Sequence, residues 1–166
     1  MNSNDIINKL ADIRKHFDSN LNNKYVKNIF IKVDLHSTIK QEMNIILINE
    51  FNYVDTRGGL IDIYNGIKAV SEFNKEVTSK VLKNLNSYIS STFASSSNMS
   101  QNDKILSQMA IKNYPMNIKI LNELLLSLFD MLVEYDKHNF SKDPAYLSVK
   151  EFDKIKPSLE YNNTLL

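Results

Sequence analysis

The sequence predicts an all-α protein, a single helical domain over residues 1–166 built as an antiparallel bundle of about five to six helices. The chain has only three glycines and three prolines, and so few turn-forming residues favour long helices over tight-turned sheets. Apolar residues recur every three or four positions in several segments, which is typical of helices with one buried face. Hydrophobic residues make up 43% of the chain, enough for a core of its own.

The first helix is predicted by an apolar stripe, and Ser3 or Asn4 is its expected cap. The stripe steps by three or four residues and consists of Ile6, Leu10, Ile13, Phe17 and Leu21. Residues 24–34 fit the period of a helix or of a strand, but a lone strand has no partner, which favours a helix. Residues 36–53 again have helical spacing.

The longest predicted helix covers residues 60–92 and carries the strongest apolar pattern in the chain. Its near-heptad stripe, in which one asparagine replaces an apolar residue, consists of Leu60, Ile63, Ile67, Val70, Asn74, Val77, Val81 and Leu85. A helix of that length would extend about 50 Å. Residues 94–102, rich in serine, are predicted to form a mobile loop, because serine and asparagine compete with the backbone for hydrogen bonds.

The second half of the chain is predicted to be divided by prolines. A short helix over residues 103–113 is expected to stop or kink at Pro115, which has no amide hydrogen. Residues 116–138 form the most hydrophobic segment and are predicted to be the central helix. Pro157 is expected to end the last helix, so that residues 157–166 form a loose tail.

The composition excludes several classes of function. The 20 basic and 19 acidic side chains nearly cancel and alternate along the chain, whereas nucleic-acid binders normally display a basic stripe. The absence of cysteine excludes disulfides, thiolate metal sites and thiol nucleophiles. No apolar run approaches the roughly 20 residues that span a bilayer, and charged residues among the first twenty positions interrupt any apolar core of a signal peptide. We therefore expect a soluble, cytoplasmic protein without a cofactor.

The glycine pair in the segment DTRGGL is the first candidate site. Arg57, Gly58 and Gly59 before an apolar helix are typical of a generic anion site, since free amides at a helix start attract negative charge. The segment has neither the length nor the Lys–Ser/Thr ending of a P-loop. The favoured interpretation is a corner between two helices, in which Gly58 ends the first helix in a left-handed conformation.

Three side chains on the predicted central helix form the second candidate site. Asp130, Glu134 and His138 are four residues apart and share one helix face, where carboxylates and histidine can bind zinc or iron. The same face fits the solvent-facing stripe of an amphipathic helix, which is the favoured interpretation. The chain has no G-x-S-x-G or E-x-x-H motif, so no catalytic or metal site is predicted. A small helical hydrolase or nuclease is kept as a second alternative function.

The long apolar stripe predicts a function in protein–protein contact. Any part of it that the other helices leave uncovered becomes a surface for another protein or for a second copy of the chain. Asn74 would fix register or partner number if it lay on this seam, but the favoured orientation places Phe73 on the seam and Asn74 in water. We expect a non-enzymatic interaction module: an adaptor or scaffold, a small chaperone or a subunit of a larger assembly.

The first alternative is a peripheral membrane module. A glycine-led long helix, a serine-rich loop and a second apolar helix, together residues 52–140, are similar in pattern to the hairpin of BAR-type domains. The resemblance implies a dimer that binds anionic lipid through lysines on one concave face. The candidate lysines are Lys68, Lys75, Lys80 and Lys83. Glu72 and Glu76 lie among them, and that family's arginine- and glutamate-rich positions are absent, which favours a protein partner.

Overall fold

Every regular element that the computed structural model describes is helical. The described residues are 2–21, 56–80, 100–142 and 154–164. The elements are α1 (Ser3–His16), a π-helical segment that continues it (Phe17–Leu21), α2 (Arg57–Lys80), α3 (Gln101–Phe140) and α4 (Ile155–Thr164). The predicted all-α class is confirmed for this part of the chain. The predictions for residues 24–34 and 36–53, and for the end of the long helix beyond Lys80, lie outside the described residues, as do residues 94–99 of the predicted loop. The loop prediction is wrong for residues 101 and 102, which belong to α3.

The cap of α1 is Asn2, so the prediction of Ser3 or Asn4 is wrong. The Asp5 amide donates to Asn2 Oδ1 (3.3 Å), and the Asn2 amide donates to Asp5 Oδ2 (2.9 Å), which makes a reciprocal capping box. Only Asn2 has a carboxylate three residues later, because isoleucines occupy that position for the other two residues. The predicted stripe is confirmed, since all five members are fully buried: Ile6, Leu10, Ile13, Phe17 and Leu21.

The glycine pair lies in the first turn of α2, so the predicted left-handed corner at Gly58 is wrong. The Gly59 amide donates to Thr56 Oγ1 (3.0 Å), the bond expected of a threonine cap. Gly58 itself has a helical backbone. A β-carbon at Gly58 would meet no atom within 4 Å, so no close approach requires glycine there. The signal for a helix start was Thr56, a preferred cap two residues before Gly58.

α3 is one uninterrupted helix of 40 residues, so the prediction that a helix stops at Pro115 is wrong. It begins after Ser100, whose Oγ accepts the Asp103 amide (3.1 Å), and it is about 60 Å long. A proline costs about 3 kcal/mol in a helix interior. Tyr114 and Ile118, on either side of the proline, are buried in the core, and the packing of this face outweighs that cost.

α4 is a packed helix, so the prediction of a loose tail over residues 157–166 is wrong for this element. Pro157 lies in the first turn, where a missing amide hydrogen breaks no helical bond. Leu159 is fully buried, and Asn162 Nδ2 donates to the carbonyl oxygen of Ser71 in α2 (3.1 Å). These contacts fix α4 against α2 and the shared core.

α3 is the central helix of the described structure, because it contacts α1, α2 and α4. We call its buried face the inner face of α3; its main members are Tyr114, Ile118, Leu121, Leu125, Leu128 and Leu132. Polar bonds add to this packing. His16 Nε2 of α1 donates to the Asn117 carbonyl oxygen of α3 (2.8 Å). Asn122 Nδ2 of α3 donates to Asn163 Oδ1 of α4 (3.0 Å). The inner face therefore holds α3 in place.

Candidate interaction surface

The first half of the predicted contact stripe on α2 is occupied by the chain's own core. Its first four side chains are buried there: Leu60, Ile63, Ile67 and Val70. They belong to the helix that packs on α3 and α4. Asn74 and Val77 lie within α2, whereas Val81 and Leu85 lie outside the described residues. The first half is therefore an intramolecular surface, and a contact role for the second half stays a prediction.

Two of the three residues of the candidate anion site, Arg57 and Gly59, have partners within the protein. Arg57 Nε lies 2.9 Å from Asp136 Oδ1 of α3, and the two side chains are only 9% and 2% exposed. The Gly59 amide is already used by Thr56, and Gly58 offers no side chain. Arg57 thus forms a buried ion pair that joins the start of α2 to the end of α3. Such a pair is costly to break, because the charge left behind stays buried.

Asp130, Glu134 and His138 are not among any group of side chains that the described residues place together as metal ligands. Asp130 accepts a hydrogen bond from Lys156 Nζ of α4 (3.0 Å), and this bond and the attraction of the charges raise the pKa of the Lys156 ammonium. A cleft of about 510 Å³ at the end of α3 is lined by Glu134, Tyr135, Lys137, His138 and Ser141. Within the described ranges, no three or more acidic or histidine side chains are grouped to hold a metal ion.

A second set of residues at coiled-coil spacing lies on α3, on the side away from the inner face. We call this set the outer seam of α3; its members, in alternating steps of four and three, are Ile105, Met109, Lys112, Met116, Lys119, Glu123, Leu126, Asp130, Val133 and Lys137. This alternation keeps side chains on one stripe that turns slowly around the helix, by about 20° per heptad, here over about 48 Å. Lys119 and Leu126 are half-buried, and the others are exposed.

Four of the five large hydrophobic side chains exposed in the described part of the chain belong to the outer seam. The exposed fractions are 46% for Ile105, 53% for Met109, 58% for Met116 and 40% for Val133. The fifth side chain, that of Tyr161, lies on α4. Single exposed apolar residues are normal on a protein surface, whereas contiguous exposed apolar patches are typical of interaction sites.

The charges of the outer seam are sorted along the helix. Lys112 and Lys119 alternate with the exposed hydrophobic side chains of the first half. Glu123 and Asp130 take the equivalent positions in the second half, and Lys137 follows them. One face of one helix therefore presents a basic apolar half and an acidic apolar half.

The outer seam was not predicted from the sequence. The expected break at Pro115 separated Met109 from Met116, so the two halves were never joined into one face. The second half was assigned to solvent because of its charges. The available signal was the spacing of Ile105, Met109 and Met116, which step by four and seven residues as side chains on one helix face do.

Comparisons of the chain with protein-family models, with curated proteins and with solved structures found no match. None of the helices in the described ranges combines the length and the apolar character needed to cross a membrane.

Proposed function

We propose that the chain is a non-enzymatic protein–protein interaction module, an adaptor, small chaperone or subunit of a larger assembly, that contacts its partner through the outer seam of α3. The observation that carries this proposal is the gathering of four exposed hydrophobic side chains on one face of the central helix. Two of them are Met109 and Met116, and flexible thioether side chains adapt to partners of different shape. Complete burial of such a side chain contributes roughly 1.5–3 kcal/mol.

The support behind the outer seam also favours binding. Because α3 contacts three other helices, its backbone is already ordered before a partner arrives. A preformed surface avoids the free energy that a disordered segment spends on ordering. Apolar side chains four and seven residues apart fit the groove or face of a partner helix. In this proposal an antiparallel bundle of about five to six helices supports α3, and the protein is cytoplasmic.

A membrane surface is the second candidate, and the lysines beside the exposed methionines favour it. Lys112 and Lys119 would each contribute about 1 kcal/mol near anionic lipid. The same lipid would repel Glu123 and Asp130 in the second half of the seam. A protein partner suits both halves, because it can present charges of both signs.

The test compares partner capture by the wild type and by a Met109→Asp/Met116→Asp variant. The matched control is Asn4→Asp/Asn8→Asp, which adds the same two charges at exposed positions of α1. Circular dichroism checks that each variant is folded. We expect proteins captured by the wild type and the control to be lost from the seam variant. Equal capture by all three would contradict the proposal, and seam-dependent binding to anionic vesicles without protein capture would favour the membrane.

A further inference from the structure

We propose that the outer seam of α3 pairs with the outer seam of a second copy of this chain, the two helices running antiparallel about a twofold axis level with residue 121. This inference rests on the proposed function and names the partner. Most dimers of identical chains have such a twofold axis, which requires that the surface be complementary to itself. The order of charged and apolar side chains along the seam supplies that complementarity.

Charge argues against a parallel pair. In a parallel pair each residue faces its own copy, so that like charges meet at the four central charged positions of the seam: Lys112, Lys119, Glu123 and Asp130. Directly opposed like charges destabilise an interface and select against that arrangement. Reversing one helix brings the basic half of one copy against the acidic half of the other.

One antiparallel register matches all four of these charges. In the register centred on residue 121, Lys112 faces Asp130 and Lys119 faces Glu123. The twofold axis repeats each pair, so four cross-chain ion pairs result from two sequence pairs. Asp130 already accepts a bond from Lys156 at its own edge of the seam. A carboxylate accepts several hydrogen bonds, so the partner copy's lysine adds to this bond without replacing it.

The same register also matches the apolar side chains. Met109 faces Val133, and Met116 faces the half-buried Leu126. At the ends of the seam, the exposed Ile105 faces a lysine whose aliphatic stem can cover it while the ammonium group stays in water. All of the exposed hydrophobic side chains on this face thus gain a cover in one arrangement.

Shifting the register by one heptad destroys the match. A shift in one direction places Lys112 against Lys137, a repulsive pair. A shift in the other direction places Met116 against Lys119 and Ile105 against Asp130. Both shifts leave apolar and charged positions mismatched, so the seam specifies one register as well as one direction.

The test is a charge exchange at the pair closest to the axis, with the full chain and sedimentation equilibrium at low salt. Lys119→Glu alone gathers four carboxylates around the axis, and Glu123→Lys alone gathers four lysines. We expect each single change to raise the dissociation constant of the dimer by about tenfold or more, since like-charge contacts cost several kcal/mol. The double change restores complementarity, and we expect it to return the constant to within about threefold of the wild-type value.

A matched control uses the same residue types at the same spacing on another helix. Lys68→Glu, Glu72→Lys and their combination alter two exposed positions of α2, and we expect none of them to change the dimer. A wild-type chain that is monomeric at its highest soluble concentration would overturn the inference. A double variant whose dimer dissociation constant is at least as high as that of either single variant would also overturn it. A monomer that still captures a different protein through the seam would leave the proposed function standing, whereas loss of both results would overturn both.

Discussion

The inner face and the outer seam of α3 advance in the same steps of three and four residues, but the chain buries one and exposes the other. The inner face consists of aliphatic and aromatic side chains, which α1, α2 and α4 cover. The outer seam alternates hydrophobic side chains with lysines and carboxylates. Burying those charges requires an opposite charge for each. Spacing therefore determines where a helix has a face, and composition determines what can cover it.

Removing a buried charge on the inner side of α3 should lower the free energy of unfolding far more than removing an exposed charge, and this is the largest effect that we expect. Replacing Asp136 with alanine leaves Arg57 buried without its carboxylate, and we expect the free energy of unfolding to fall by about 3–5 kcal/mol. Urea denaturation measures this loss. The control is Glu134→Ala, an exposed carboxylate two residues away, which should change stability by less than about 0.5 kcal/mol. Equal effects would remove the distinction between the two sides of α3.

Truncation of apolar side chains should separate the two faces almost as clearly. Leu121→Ala creates a cavity in the fully buried inner face, and we expect a loss of about 2–5 kcal/mol in the free energy of unfolding. Met116→Ala removes an exposed side chain from the outer seam and should cost less than about 0.5 kcal/mol in the monomer. Thermal or urea unfolding at low protein concentration makes this comparison. A large loss for Met116→Ala would mean that the outer seam helps to fold the single chain.

Alkaline pH should lower the free energy of unfolding through Tyr114, a member of the inner face. Burial raises the pKa of its phenol above the usual value of about 10, because the core disfavours the phenolate. In the unfolded chain the phenol ionises above about pH 10, so folding loses stability there as the pH rises, by at most about 1.4 kcal/mol per pH unit.

The variant Tyr114→Phe removes this contribution from the inner face. We expect a shallower decline of the free energy of unfolding between about pH 9 and 11, together with a loss of about 0.5–1.5 kcal/mol at neutral pH. Urea unfolding at a series of pH values gives both quantities. Tyr161→Phe, at an exposed position of α4, should leave the slope unchanged. An unchanged slope in Tyr114→Phe would show that this phenol is not protected from ionisation.

The smallest effect on folding should come from the charges of the outer seam. We expect Lys119→Glu to change the free energy of unfolding of the monomer by less than about 0.5 kcal/mol. In the single chain this substitution alters only contacts with neighbouring side chains on the surface of the same helix. The measurement is urea unfolding under dilute conditions. A loss above about 1 kcal/mol would place Lys119 in the fold of the single chain and make its effect on association ambiguous.

Local patterns in the sequence predicted the fold where one face of one helix decides the structure. The five-residue stripe of α1 reappears as a buried face, and the central position of residues 116–138 follows from their apolar face. The predictions that depended on proline were wrong. Pro115 is tolerated because residues before and after it on the same helix are buried in the core. Pro157 is tolerated because it lies in the first turn of its helix. Both outcomes depend on tertiary position, which a local pattern does not contain.

The candidate sites were less predictable than the helices. Which partner or cover the Arg57 site and the α2 stripe receive depends on contacts between residues that are distant in the chain. Arg57 and Asp136 are far apart in the chain, and no spacing rule joins them before α2 and α3 pack. The stripe beginning at Leu60 looked like a contact surface, since its cover by α3 and α4 is visible only after folding. The outer seam was hidden for the opposite reason, because its charged positions resemble ordinary solvent-facing ones.

Cysteine cross-linking tests most directly whether the outer seam is the contact between copies. The chain has no cysteine, so introduced thiols are unique. Met109→Cys and Val133→Cys are made in separate chains, and Lys68→Cys on α2 serves as the control. Under mild oxidation we predict a disulfide-linked dimer that forms efficiently when the Met109→Cys and Val133→Cys chains are mixed and poorly in each alone. Efficient linkage of either variant with itself, or no linkage in the mixture beyond the control, would contradict the account.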